Sequence, residues 1–545
     1  AANRSGGWTR VAISALSMAV PAGMLLMDPP YYHQAIDPTP ENLRAVAIAD
    51  QLAVLTLVFS ITGIVALLAW QSLFPSRRDY LALAGMPVRS RDIFAARFAT
   101  VLILATALVL AMLPGFQPPH QFTAQTLAGM PAGLKILAHI ASSGLGCLFV
   151  FFSIVALQGV LLNLLPARWF ARVSTWAQAL LIAVFFFGGL FSWAIVNWRQ
   201  DMIARLSEFA AFAPPIWFAG LHEAILGRRD PFFASMANRA LAAAAGAILL
   251  AVITYALAYS RYQKLLLEAP EIVASRRAPG WRFLRPLAGG EARREAILEF
   301  LAQTLSRSRM HRLILLAYAG AALGIMLNSA LVAGVATRWA GGLSGLLRFI
   351  CLYWPLGFSF IVLAGFRHAF SLPADLPANW LFRLTESHGR REWMSALERF
   401  MIGCVIVPIH ALTLPVAAAV LGWPVAARMT ALELLVSLTA FELLFYSWQQ
   451  LPFTCSYAPG KRTLVEVLGI WLVILVIVVP VLARIIAAMS QLNESFLFFT
   501  LIFGVAWLWA RRQRLEGWGE ARLIYEDLAE SVPQLGIGEM SHKWG

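Results

Sequence analysis

The residues of this chain best suited to chemistry sit inside long apolar runs. Glu433 and Glu442 lie in the run 430–448, Asp50 and Gln51 in 45–70, Gln158 and Asn163 in 136–165, and Asn328 in 313–336. An ionised carboxylate at the centre of a bilayer costs roughly 2.5–3.5 kcal/mol on insertion scales, so each of these groups must face protein or water. Asp50 and Glu433 fall near the outer ends of their runs and read as interfacial. Glu442 is roughly 9 Å from the inner end at Trp448, counting 1.5 Å per helical residue. It is the first candidate for an intramembrane acid, with Gln158 and Asn328 as further polar candidates; the competing reading pairs it structurally with a polar neighbour or with Arg462.

Other chemistries find little footing. Of nine His, only His139 and His410 fall inside apolar runs; near span ends in different halves, they read as satisfied core residues and not as paired axial ligands of a haem. The four Cys (Cys147, Cys351, Cys404, Cys455) never occur as CxxC, the spacing of zinc and redox sites. Ala458-Pro459-Gly460-Lys461 resembles the end of a phosphate loop but lacks the GxxxxGK[ST] spacing. The expected chain is therefore not an enzyme, with no metal or cofactor of its own.

These residues are carried by a chain that is 59% hydrophobic and only 13% charged. A soluble domain carries about 25% charged residues, so lipid is the expected solvent. Apolar runs fall near 9–27, 45–70, 96–113, 136–165, 175–197, 236–260, 313–336, 345–366, 400–421, 430–448, 464–488 and 494–510. About 20 apolar residues cross the hydrocarbon as a helix, and the absence of a two-residue alternation excludes a barrel. The expectation is an all-α polytopic membrane protein of twelve transmembrane helices, the first retained rather than cleaved as a leader. Lys and Arg number 43 against 29 Asp and Glu, a net charge of +14. About three quarters of the basic residues fall on one side if the N-terminus is cytoplasmic, so the basicity reads as topology with both termini cytoplasmic, and not as a nucleic-acid surface.

The longest inside segment, 261–312, divides the chain into two six-helix halves, 1–260 and 313–511, followed by a cytoplasmic tail, 512–545. Residues 291–312 of this basic linker predict an amphipathic helix with Ile297, Leu298, Leu301 and Leu305 on one face, suited to the inner leaflet or to covering a partner. Each half has a long loop after its second helix: FPSRRDYLALAGMPVRSRDIFAARF (74–98) and LPADLPANWLFRLTESHGRREWMSALERF (372–400). Both pass from a Pro through a polar–aromatic pair (Asp79-Tyr80, Asn379-Trp380) and a leucine-rich stretch to paired Arg. Each then has an acid with an aromatic next or two on (Asp92 and Phe94, Glu392 and Trp393) and closes on Arg-Phe. A device repeated at equivalent positions predicts a duplicated unit with pseudo-two-fold symmetry along the membrane normal, and a docking role for both loops.

At these loops the chain resembles the permease subunits of ABC transporters of the ABC-2 exporter type, with two six-helix units fused. The family's coupling-helix pattern is followed by Arg78, Asp79, Tyr80, Leu81 and Leu83, then Pro87, then Arg91 and Asp92 ahead of Ala96-Arg97. In the second half Asn379, Trp380, Leu381, Arg391, Glu392 and Trp393 take those places. A short excursion outside the membrane between the fifth and sixth helices is matched by 198–235, where 212–218 reads as an amphipathic hairpin re-entering the outer leaflet. The chain departs from the pattern in having Arg77-Arg78 where the family has Glu, no Pro matching Pro87 in the second loop, and only a brief outer connection at 489–493.

The resemblance implies that a cytosolic nucleotide-binding ATPase dimer docks under the two loops, that ATP and Mg are bound by that partner, and that the permease exports substrate from a bacterial cytoplasmic (inner) membrane. The sparse charge along the spans points to lipid-like or amphipathic cargo. Two other readings stay open: a proton-coupled secondary transporter of major-facilitator type, and a non-transporting subunit of a larger membrane assembly.

Overall fold

The computed structural model describes residues 40–70, 73, 90–112, 131–197, 206–228, 230–268, 285–337, 342–374, 379, 390–446, 448, 450–455 and 478–519. Among these the elements are helical, with no β-strand. Eight helical segments are long and apolar enough to cross a bilayer: 47–68, 133–164, 172–192, 231–258, 310–330, 347–370, 392–421 and 493–516. The chain is thus a membrane protein. Of the other expected spans, 9–27 lies outside the described residues, 96–113 and the end of 464–488 form shorter apolar helices, and 430–448 is helical up to Phe445, in a helix from Trp423 that carries Arg428, Glu433 and Glu442.

By contact the chain forms two compact units, residues 1–273 with 323–332, and 274–322 with 333–545. In the first, α1 (Pro40–Leu68), α2 (Ser90–Met112), α3 (Ala132–Leu164), α4 (Ala167–Asn197), α5 (Pro214–Ile225) and α6 (Pro231–Glu268) surround α3, which packs against all the others. Small residues bring these backbones close. A Cβ on Gly63 would sit 2.4 Å from the Phe185 ring, one on Gly188 would be 2.9 Å from Ser60 Oγ, and one on Gly324 would be 2.6 Å from the Ala183 carbonyl oxygen. The Phe185–Gly189 stretch of α4 is therefore a close-crossing surface, as its adjacent glycines suggested. α5 begins at Pro214-Pro215 and buries Phe218 edge-on to Phe59 at 5.4 Å. The apolar side of the segment expected to re-enter lipid is thus packed on α1, α3 and α6.

The second unit contains α7 (Ala292–Arg307), α8 (Arg309–Thr337, whose 323–332 group with the first unit), α9 (Gly342–Phe370), α10 (Arg390–Met401), α11 (Val407–Leu421), α12 (Trp423–Phe445), α13 (Val479–Met489) and α14 (Asn493–Gly519). A five-residue π-helical segment, Ile402–Ile406, joins α10 to α11. Gly422, at φ 83°, stops α11 and lets Pro424 start α12 at once, a left-handed turn that a side chain resists. α12 is the centre of this unit and packs against α9, α11, α13 and α14. Outward faces of α6 and α14 carry exposed Leu249, Ile253, Leu257, Leu497, Leu501 and Trp509, the surface a bilayer would cover.

Candidate functional site

The expected docking residues Arg78, Asp79, Tyr80, Leu81, Leu83, Pro87, Trp380 and Leu381 lie outside the described residues, as does Arg462. Arg91 and Arg391 fall in the first turns of α2 and α10, and Asp92 is exposed in the first turn of α2. What the structure describes is how the two loops are held at their roots.

The first loop leaves α1 at Trp70 and Leu73. Gln158 Nε2 of α3 donates to the Trp70 carbonyl at 3.0 Å, and Tyr255 Oη of α6 donates to the Leu73 carbonyl at 3.3 Å. The end of a helix leaves carbonyls without intrahelical donors, and here two other helices supply them. Gln158, a candidate polar site by its depth, therefore works as an anchor for the loop. Asn328 is partly buried, with its Oδ1 lacking a hydrogen-bond partner.

The second loop is anchored at its far end. Glu398 of α10 accepts from Arg514 Nη2 of α14 at 2.8 Å and pairs with Arg511 at 3.0 Å. Arg514 also holds Glu442 of α12, with Nε on Oε2 and Nη2 on Oε1 at 3.1 Å, and its guanidinium lies 5.2 Å from the Phe441 ring centre. Arg514 is fully buried and Glu442 is 1% exposed. Glu442 is thus a buried acid whose described cation comes from the last helix. The sequence signal was faint: Trp507, Arg511 and Arg514 share one helical face, with Arg511 over Trp507 at 5.5 Å.

Inside that root, the linker helix α7 turns Ile297, Leu298, Leu301 and Leu305 onto α10, where they are buried with Met394, Leu397 and Met401. The predicted apolar face is present, and it is occupied within the unit, on α10. Trp393 meets Phe300 edge-on at 5.9 Å, and Glu392 pairs with Arg293 at 3.5 Å. Leu287 packs where a Cβ on Gly403 would fall, and its carbonyl accepts from Arg399 at 3.0 Å.

Asn379 is buried and donates from Nδ2 to the Thr454 carbonyl at 2.8 Å, which turns it into the protein and makes it a positioning residue. Phe453, at φ 68°, donates its N–H to Phe370 and accepts from Ala374, both at 2.9 Å, while its ring packs on Phe300, His311 and Phe370. A non-glycine residue in that region is uncommon and persists where surrounding contacts over-determine it. Cys455 beside it is buried.

Asp50 and Glu433, which their positions suggested were interfacial, are each 1% exposed. Gln51 donates to Ser142 at 3.2 Å and faces His139 Nδ1 at 3.5 Å. Among the described residues no group of three His, Cys, Asp or Glu converges on a metal position. No protein-family model, curated protein or solved structure matches the chain.

Proposed function

We propose that this chain is the permease subunit of an ATP-driven exporter of ABC-2 type, with twelve spans in two six-helix halves and both termini cytoplasmic in a bacterial inner membrane. A separate nucleotide-binding subunit hydrolyses ATP, and the loops 74–98 and 372–400 receive its movement. The observation that carries this reading is that each loop is rooted in the same two helices of its half. Numbered by expected span, the first loop is tied at its entry to spans four and six through Gln158 and Tyr255, and the second at its exit to span twelve through Arg514 on Glu398, with Arg514 in turn holding Glu442 of span ten. A loop that only connected two spans would not need buried polar ties to two others; one that delivers force does, because the push must reach helices lining a transport path.

The pattern of neighbours gives further support. In each unit span four packs against spans two, three, five and six, and span two against span five. Exposed leucine-rich faces and the scarcity of spanning charge fit a lipid-like or amphipathic substrate. The test is co-purification in mild detergent with a nucleotide-binding ATPase subunit, followed by an ATPase assay. An active transporter driven by a proton gradient with no ATPase present would overturn the proposal.

A further inference from the structure

Glu433 and His410 form a second buried polar contact, between α12, which also carries Glu442, and α11, which follows the helix of Glu398 through the π-helical segment Ile402–Ile406. Both are 1% exposed. His410 Nδ1 lies 3.8 Å from Glu433 Oε2, and His410 Nε2 lies 3.0 Å from Ser437 Oγ and 3.5 Å from Ser359 Oγ. Among the described residues neither carboxylate oxygen of Glu433 has a hydrogen-bond partner, and neither do His410 Nδ1 and Thr430 Oγ1. Around them are Leu356, Ala417, Ala426, Met429 and Leu432, all buried. A carboxylate in such surroundings must be neutralised or paired.

Among the described residues no Lys or Arg pairs with Glu433. The described groups facing it are His410 from α11 and Cys351 from α9, the latter within electrostatic reach. On α12 itself, Arg428 is held by Asn493 and Gln491, and Glu442 by Arg514. α13 contributes Arg484, bound to Tyr353 at 3.0 Å, and α14 contributes Arg511 and Arg514, both at Glu398. The π-helical segment before α11 contributes Cys404.

We propose that Glu433 and His410 are a proton-binding site within the second unit, independent of how the docking loops function. A proton taken from water forms an O–H bond at Glu433 Oε2. A small side-chain rotation brings that O–H to donate to His410 Nδ1, while Nε2–H donates to Ser437 Oγ; release returns the proton to water and leaves the carboxylate. The site lies on α11 and α12, and Arg514 joins α12 to α10, which runs into α11 through the π-helical segment. Glu398 and His410 are roughly 18 Å apart along α10–α11, and Glu442 and Glu433 roughly 13 Å apart along α12. Proton occupancy therefore sets how α11 meets α12 near one end of a pair that the arginine clamps at the other. π-Helical segments like Ile402–Ile406 recur where helices must adjust for function.

Infrared difference spectra of the purified chain in detergent, recorded through a pH titration, test this without any ATPase. The expected result is a protonated-carboxyl stretch that titrates, is missing from Glu433→Gln, shifts in frequency in Glu433→Asp and titrates at a different midpoint in His410→Gln. A band unchanged in Glu433→Gln, or one that follows sodium concentration at fixed pH, overturns the proposal. If Glu433→Gln does not fold, an unmoved midpoint in His410→Gln overturns it equally. Since only this chain is measured, the outcome stands apart from whether an ATPase docks.

Discussion

Arg514 Nη2 donates to Glu398 Oε2 at 2.8 Å, joining residues 116 positions apart, and the same guanidinium holds Glu442 on a third helix. One buried cation thus fixes the end of α10, where the loop 372–400 exits, to α12 and α14.

Arg514→Met removes that cation and leaves two carboxylates behind it. Breaking a buried pair from one side costs about 3–5 kcal/mol, whereas replacing all partners by apolar groups of like size is near neutral. Thermal unfolding in detergent should show Arg514→Met far less stable than the wild type. The triple change Arg514→Met, Glu442→Leu, Glu398→Leu should recover most of the loss. Equal loss in both would contradict a network that acts as a unit.

At the first loop, Gln158→Leu leaves the Trp70 carbonyl without its side-chain donor, at a cost of about 1–3 kcal/mol, and Tyr255→Phe removes a weaker bond worth about 1 kcal/mol. Both variants should still bind the ATPase partner but transport less per ATP hydrolysed. Unchanged transport per ATP, measured in reconstituted vesicles, would make these ties structural only.

Gly324→Ala places a methyl 2.6 Å from a backbone oxygen that cannot swing away, so it should lower stability by about 1–3 kcal/mol. Gly246→Ala, with nothing within 4 Å of the added carbon, should stay within about 0.5 kcal/mol of wild type. The contrast is read from paired melting curves.

The linker helix gives an accessibility test. Leu298→Cys should resist a water-soluble thiol reagent, because that position is fully buried on α10, while Arg293→Cys, whose native side chain is 67% exposed, should react readily. Peptide mass spectrometry separates these sites from the native thiols. Comparable rates would place the α7 face in water.

The apolar runs were legible because a bilayer imposes a length, and eight of them return as helices long and apolar enough to cross one. The apolar stripe of α7 was legible too, since its 3.6-residue period is local; its occupant was not, because α10 lies about 100 residues away in the chain. Glu442 stood out by depth, but its cation did not. Arg511, Arg512 and Arg514 look like ordinary inside-facing charge at the end of a span, and only the tertiary packing of α12 on α14 turns one of them inward. The burial of Glu433 was hidden for a related reason: distance from a span's end measures depth in lipid, not burial against His410 and Ser437.

The most direct test of the docking role is pull-down of the nucleotide-binding subunit by the tagged chain carrying Leu81→Asp or Leu83→Asp, with the chain's own yield in detergent measured alongside. The expected result is normal yield of the chain with loss of the bound ATPase. A normally recovered ATPase in both variants, or transport that continues with no ATPase in the membrane, would contradict it.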